Sequence, residues 1–210
     1  MSREVLGWTL LAASYLLGAI PFGLLLGKQV AGVDVRQAGS GNIGATNVAR
    51  TAGKGLGVLT LLLDAAKGAV AVVATALLMD ERTDGAWATA AGLAAFLGHV
   101  FPPWLRFRGG KGVATAFGIF LVLDPRVGLL AAAVFGLAFL ATRTVSLASL
   151  AASLAVAGSA AVLRGGDDTV ARVAAVVMLV VIVRHQSNIR RILRGEESRV
   201  RRRPPGAGAR

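Results

Sequence analysis

Two long, predominantly apolar runs, VLGWTLLAASYLLGAIPFGLLLG (5–27) and GLGVLTLLLDAAKGAVAVVATALLM (55–79), constrain this chain more than any other feature. A bilayer hydrocarbon core of about 30 Å takes a helix of roughly 20 apolar residues. Both runs are that long, and the first has no convincing cleavage site after it, so it reads as a span rather than a removed signal. Composition agrees. Apolar residues make up 55% of the chain and charged residues 16%, against about 45–50% and about 25% in soluble domains. There is no cysteine, which excludes disulfides, thiolate nucleophiles and zinc–thiolate centres.

Further candidate spans are 86–105, 112–123, 126–141, 146–163 and 169–184. Segment 112–123 is short, yet fusing it to 126–141 would place Asp124-Pro125 in mid-helix, where proline breaks the hydrogen-bond ladder. Charge separates the two readings. With seven spans and the N-terminus outside, inner segments and the C-terminus carry 17 Lys and Arg and outer segments five, the positive-inside pattern. Fusion would expel the Arg-rich tail. The expected fold is therefore all-α and polytopic, with seven transmembrane helices, the C-terminus cytoplasmic and the fourth span short. One membrane domain is expected over 1–197, followed by a basic, Pro/Gly-rich tail over 198–210, disordered and drawn to anionic headgroups. Most glycines within spans read as packing positions where helices approach closely. The net charge of +12 resides in loops and tail without interleaved exposed aromatics, so nucleic acid is not an expected partner.

In this topology four polar segments share the inner face: 38–55, 106–112, 142–149 and 184–197. Glycine-rich backbone beside a helix start can aim N–H groups at an anion, with a nearby cation supplying charge. AGSGNIGATNVAR offers Gly39, Gly41, Gly44 and Arg50; RFRGGKG offers Gly109, Gly110, Gly112 and Lys111. Neither is a Walker A loop. His185 and Asn188 would share a face in a continuing helix. His99, before Phe101-Pro102-Pro103, is expected to bond a backbone carbonyl freed by the prolines. Asp64 and Lys67, i and i+3 inside a span, read as a structural ion pair. No His/Asp/Glu cluster has metal-ligand spacing, and neither metal nor cofactor is expected.

The motifs AGSGNIGATNVAR, LDAAKG, GHVFPPWLRFRGGKGVAT and RHQSNIRRILRGEE, in this order, resemble the PlsY family of bacterial acyl-phosphate:glycerol-3-phosphate acyltransferases. The resemblance runs from Pro21 to Glu197 and implies the same seven-span arrangement in the bacterial plasma membrane, with the active site facing the cytoplasm. It also implies transfer of an acyl chain from acyl phosphate to the 1-hydroxyl of glycerol 3-phosphate, by a protein functional as a monomer. Carried over, Ser40, Arg50, Lys111, His185 and Asn188 are catalytic. Gly39, Gly41, Asn42, Gly44, Thr46, Asn47, Arg108, Gly109, Gly110, Gly112 and Ser146 bind substrate, and Glu197 is structurally important.

Both substrates carry phosphate, which gives two basic loops a physical reason, since two dianions repel without cations between them. The residues leave the base open among His185, a substrate phosphate oxygen and an acyl-enzyme on Ser40. The last is disfavoured because Ser40 has no triad partner in sequence. Direct transfer is expected, with Ser40 donating a hydrogen bond to phosphate. The rival class is a transporter of a small phosphorylated anion; crowding of polar residues on one face, rather than at the midplane, argues against it.

Overall fold

The computed structural model describes residues 2–200, so 201–210 of the expected tail lie outside the described residues. Every regular element among them is helical. Helix α1 (Arg3–Gly18) starts at Ser2, whose hydroxyl accepts from the Val5 amide at 3.3 Å. The sequence reading makes 5–27 one span, and Arg3–Ala31 is long and apolar enough to be one. Its helix nevertheless breaks before Pro21, which has no N–H to donate, and α2 (Phe22–Ala31) resumes beyond it. Gly32, at φ +66°, ends α2 in the left-handed region. A short α3 (Ala45–Thr51) leads into α4 (Lys54–Met79), whose 26 residues reach about 39 Å at 1.5 Å per residue.

Helix α5 (Ala86–Val100) stops before the expected end of its span at 105, because Pro102 and Pro103 convert the remainder into a 3-10 turn over Pro103–Leu105. Then follow α6 (Val113–Leu123), α7 (Pro125–Thr142), α8 (Val145–Arg164), α9 (Thr169–Arg184) and α10 (Gln186–Leu193). The Asp124-Pro125 boundary falls where expected, with the Asp124 carboxylate capping α7 by accepting from the Arg126 amide at 3.1 Å.

Among the described residues four segments are long and apolar enough to cross a membrane, counting α1 and α2 as one, or five if the α9–α10 pair, bent by 61°, is a single broken span. Helices α5 and α6, at 15 and 11 residues, reach only about 22 and about 17 Å. Both fall short of a bilayer core of about 30 Å. Buried positions wrap around α5, which packs against α1, α4, α6 and α9, so protein rather than lipid covers most of its backbone.

Small residues permit these contacts. A methyl at Gly18 would lie 1.9 Å from the Ala95 carbonyl oxygen, and one at Gly118 2.0 Å from that of Ala65. Lipid removes the hydrophobic drive for helices to associate, so close backbone approach takes its place. Gly23 serves a different contact: its missing side chain admits the Ile43 carbonyl of the following loop, 2.0 Å from where a Cβ would sit. The main core centres on Phe96, Ile119, Phe120, Val127 and Val170, and a smaller one of Leu24, Val35, Ile43 and Val48 supports the 32–44 loop.

The loops at one end of the bundle converge on Arg164. Its guanidinium reaches Asp168 at 2.9 Å, Asp84 at 3.0 Å and Asp124 at 3.4 Å. The loops carrying the sequence motifs meet at the opposite ends of α6 and α8.

Candidate functional site

The first wall of the site is the 32–44 loop, and buried Asn47 organises it. The Asn47 amide nitrogen donates towards the carbonyls of Val35, Ala38 and Asn42 at 2.8–3.1 Å, while its oxygen accepts from the Ser40 amide at 2.8 Å. Asn47 was expected to bind substrate; its side chain is instead consumed as the internal tie of the loop. Asn42 closes a local turn by accepting from the Gly44 amide at 2.8 Å, and Gly39 and Gly41 take positive φ. Ser40 is thereby held exposed at the loop's crest.

The second wall is Arg108–Gly112. Its glycines were expected to turn their amides towards an anion. The structure corrects this for two of them: Gly109 N–H donates to the Val100 carbonyl and Gly110 N–H to that of His99, both at 3.1 Å. These are carbonyls at the end of α5, which the helix itself leaves unsatisfied. Glycine is required there for close approach, since a Cβ on Gly109 would sit 2.1 Å from the His99 carbonyl oxygen. The loop's own carbonyls are held by Arg184, whose Nη2 donates to Gly109 at 2.9 Å and whose Nε donates to Gly110 at 3.3 Å. Gly112, at φ +80°, turns the chain into α6. Lys111 stands between these fixed points.

The third wall is α10. His185 is buried at the bend from α9, and its Nδ1 lies 2.8 Å from the Val181 carbonyl, which fixes the proton on Nδ1 and leaves Nε2 unprotonated. The helix does not continue through His185, since α9 ends at Arg184 and α10 starts at Gln186, so the condition for a face shared by His185 and Asn188 is not met. Asn188 receives the Lys111 ammonium on its Oδ1 and donates its amide to Glu197 at 2.6 Å. Glu197 also accepts from Ser146 Oγ at 2.7 Å and Arg191 Nε at 2.6 Å. Ser146 was expected to contact substrate; it is buried and spends its hydroxyl on Glu197.

A cleft of about 640 Å³ opens between the three walls. Gly39, Ser40, Asn42, Lys111 and Asn188, all singled out from sequence, line it. Gly41, Gly44, Thr46, Arg50, Arg108, Gly109, Gly110, Gly112 and His185 do not. Arg50 is exposed on α3, with Nη2 3.3 Å from Ser198 Oγ, and Arg108 and Thr46 are exposed as well. Arg184, Arg190 and Arg191 were counted only as inner-face charge, yet all three line the cleft. Their i, i+6 and i+7 spacing around a span end was the available signal.

Burial pushes the Lys111 ammonium down to about 8, opposed by the Glu197 charge and assisted by Arg191 and Arg184. Burial, then the Lys111 charge, lowers His185 to about 4, so its imidazole is neutral near pH 7. Burial raises Glu197, but hydrogen bonds from Asn188, Arg191 and Ser146 outweigh it and leave the carboxyl below its ordinary value. The result is an excess of positive charge facing the open recess, the electrostatics that favour an anion.

The long apolar helices, with this cationic cleft at one end of their bundle, define a multi-pass integral membrane protein. It belongs to the glycerol-3-phosphate acyltransferase family, whose model matches residues 8–195. A glycerol-3-phosphate acyltransferase from Anaeromyxobacter sp. (strain Fw109-5) is 51% identical over 96% of this chain and all of its own length. One from Myxococcus xanthus (strain DK1622) is 49% identical over 90% of this chain and 97% of its own. Among solved structures, crystal structures of PlsY, an integral membrane glycerol 3-phosphate acyltransferase, superpose closely. The glycerol 3-phosphate form gives a TM-score of 0.86 at 39% identity, covering 93% of this chain and 96% of the other. The lysophosphatidic acid form gives 0.84 at 38%, covering 93% and 95%.

Proposed function

We propose that this protein transfers an acyl chain from acyl phosphate to the 1-hydroxyl of glycerol 3-phosphate, releasing lysophosphatidic acid and inorganic phosphate. It acts as a monomer with one membrane domain over 1–197, in a bacterial plasma membrane. Seven segments cross, with α5 and α6 spanning despite their length because neighbouring helices enclose them, and the cleft opens to the cytoplasm. The observation that carries the reading is Lys111, held by Asn188 at the mouth of a recess shared with Ser40 and three arginines. That charge suits two phosphorylated reactants.

In the reaction the glycerol oxygen forms a bond to the acyl carbon, and the bond from that carbon to the phosphate oxygen breaks. The cations neutralise both phosphates and the charge growing on the leaving one. An acyl phosphate is already activated, so orientation and electrostatics are the main tasks. The hydroxyl proton passes to a phosphate oxygen of the donor and leaves with it. A histidine held near 4 is a poor acceptor at neutral pH, whereas the donor's phosphate oxygens gain basicity as the bond to the acyl carbon breaks and inorganic phosphate forms. Ser40 makes no side-chain hydrogen bond to a base among the described residues, which favours its role as donor to phosphate over an acyl-enzyme.

The test supplies the purified protein with acyl phosphate, acyl-CoA or acylated carrier protein, each with glycerol 3-phosphate. Lysophosphatidate from acyl phosphate alone is expected. Product from the thioesters at equal rate overturns the donor assignment, and no product from any donor overturns the activity. Liposome uptake of labelled glycerol 3-phosphate without a donor would instead mark a transporter.

A pH dependence follows from Lys111. A lysine lowered to about 8 carries its charge below that value and loses it above. Thus kcat/KM for glycerol 3-phosphate should fall about tenfold per pH unit above a limb near 8. Bound phosphate favours the ammonium, so the limb in kcat should lie higher. A flat kcat/KM from pH 7 to about 10, where an ordinary lysine begins to titrate, contradicts the assignment.

A further inference from the structure

A second group of buried polar side chains lies outside the cleft and takes no part in the chemistry above. Asp64 and Lys67 on α4 and His99 on α5 are each at most 5% exposed. Ionisable groups so placed in a membrane bundle are costly and rarely idle. Lys67 Nζ lies 2.8 Å from Asp64 Oδ1 and donates to the Ile20 carbonyl at 2.9 Å, at the break between α1 and α2. The same Asp64 oxygen faces His99 Nδ1 at 3.5 Å. Neither of these two atoms has an aligned hydrogen-bond partner among the described residues. The expected bond from His99 to a carbonyl near the prolines is not what the ring makes. Its other edge meets the glycine loop: a methyl on Gly110 would lie 2.1 Å from Nε2. The Gly110 amide also donates to the His99 carbonyl.

We propose that Asp64 and His99 are positioning residues for Lys111. The carboxylate faces the imidazole Nδ1 edge at 3.5 Å, and the opposite edge of the ring sets the height of the Gly109–Gly110 turn. That height fixes where the ammonium of the next residue meets Asn188. Lys67 neutralises Asp64 and ties the cluster to the α1–α2 break, beyond which α2 leads to the Ser40 loop. Two of the cleft's three walls thus refer to one buried point. An apolar side chain in place of His99 would fill space without fixing an orientation. Where lipid supplies no hydrophobic drive, a polar contact specifies placement. This inference rests on Lys111 as the phosphate-binding cation.

The test is a pair of mutational cycles. Gly110→Ala drives a methyl into the imidazole and should lower kcat/KM by about a hundredfold, and adding His99→Ala should recover about tenfold by making room. Gly109→Ala meets the His99 backbone oxygen at 2.1 Å instead, so His99→Ala should not rescue it. A double variant no better than Gly110→Ala, or equal rescue of Gly109→Ala, overturns the proposal. Should the Gly110 variant fail to fold, the pH profiles of His99→Ala and Asp64→Asn decide. Displacement of the alkaline limb is expected, because Lys111 changes its surroundings, and an unmoved limb in both overturns it. Wild-type protein that forms no lysophosphatidate, or shows no limb, defeats the underlying reading rather than the positioning role.

Discussion

Lys111→Ala should lower kcat/KM by at least about a hundredfold while leaving the fold intact. Unit charges about 4 Å apart at a protein surface interact by about 4 kcal/mol, and each 1.36 kcal/mol of lost transition-state stabilisation is about tenfold in rate. The remaining arginines moderate the loss, which is why the expectation stops short of the full figure. Structure should survive because the Lys111 head group makes one hydrogen bond, to Asn188, and Glu197 keeps its bonds from Asn188, Ser146 and Arg191. Lys111→Arg should retain part of the activity and lose the limb near pH 8, since a guanidinium stays charged there. Steady-state kinetics on both substrates, beside a thermal unfolding curve, check this. Near-normal turnover in Lys111→Ala with an unchanged midpoint would remove the two-phosphate reading.

The ease of reading this chain differed from element to element, for physical reasons. Run length exposed the long helices, and Asp124-Pro125 exposed the boundary between α6 and α7. The break before Pro21 stayed hidden because Ala19, Ile20 and Phe22 are apolar, and hydropathy does not register a lost backbone donor. Nothing local announces the bend at His185: neither glycine nor proline stands there, and Asn188 is held by Lys111, 77 residues away, and by Glu197. Glycines were the subtlest case. Both an anion cradle and a close backbone approach demand glycine at 109 and 110, and only the partners of their amides distinguish the two. Residue types at the site were legible. Their pairing through Asn47, Arg184 and Glu197 was not, because those bonds depend on how distant loops dock.

Arg164→Ala should lower stability by about 3 kcal/mol and spare the chemistry. Three loops depend on this guanidinium, which is only 16% exposed. Removing one partner of a buried ion pair costs about 3–5 kcal/mol, and partial solvent screening places this site at the lower end. Asp84 and Asp124 would keep their exposed partners Arg82 and Arg126, but Asp168 would keep only its cap on α9. For a chain of this size about 3 kcal/mol corresponds to a fall in melting midpoint of about 6–12 °C. Arg164→Lys should recover little, since an ammonium cannot span three carboxylates as a planar fork does. The acid limb supplies an independent check. Hydrogen bonds from Arg126, with a smaller share from Arg164, hold Asp124 at about 2, and Arg164 is the first cause lowering Asp168. Carboxyls depressed in the folded state stabilise it above their unfolded value, and that stability is lost as pH falls through the folded one. Wild type and Arg164→Ala should therefore converge in midpoint between about pH 4 and about 2. Turnover below the melting transition should stay within about twofold of wild type, since the cleft lies at the other end of α6 and α8. A midpoint shift under about 2 °C would show instead that the three loops hold their places through backbone packing alone.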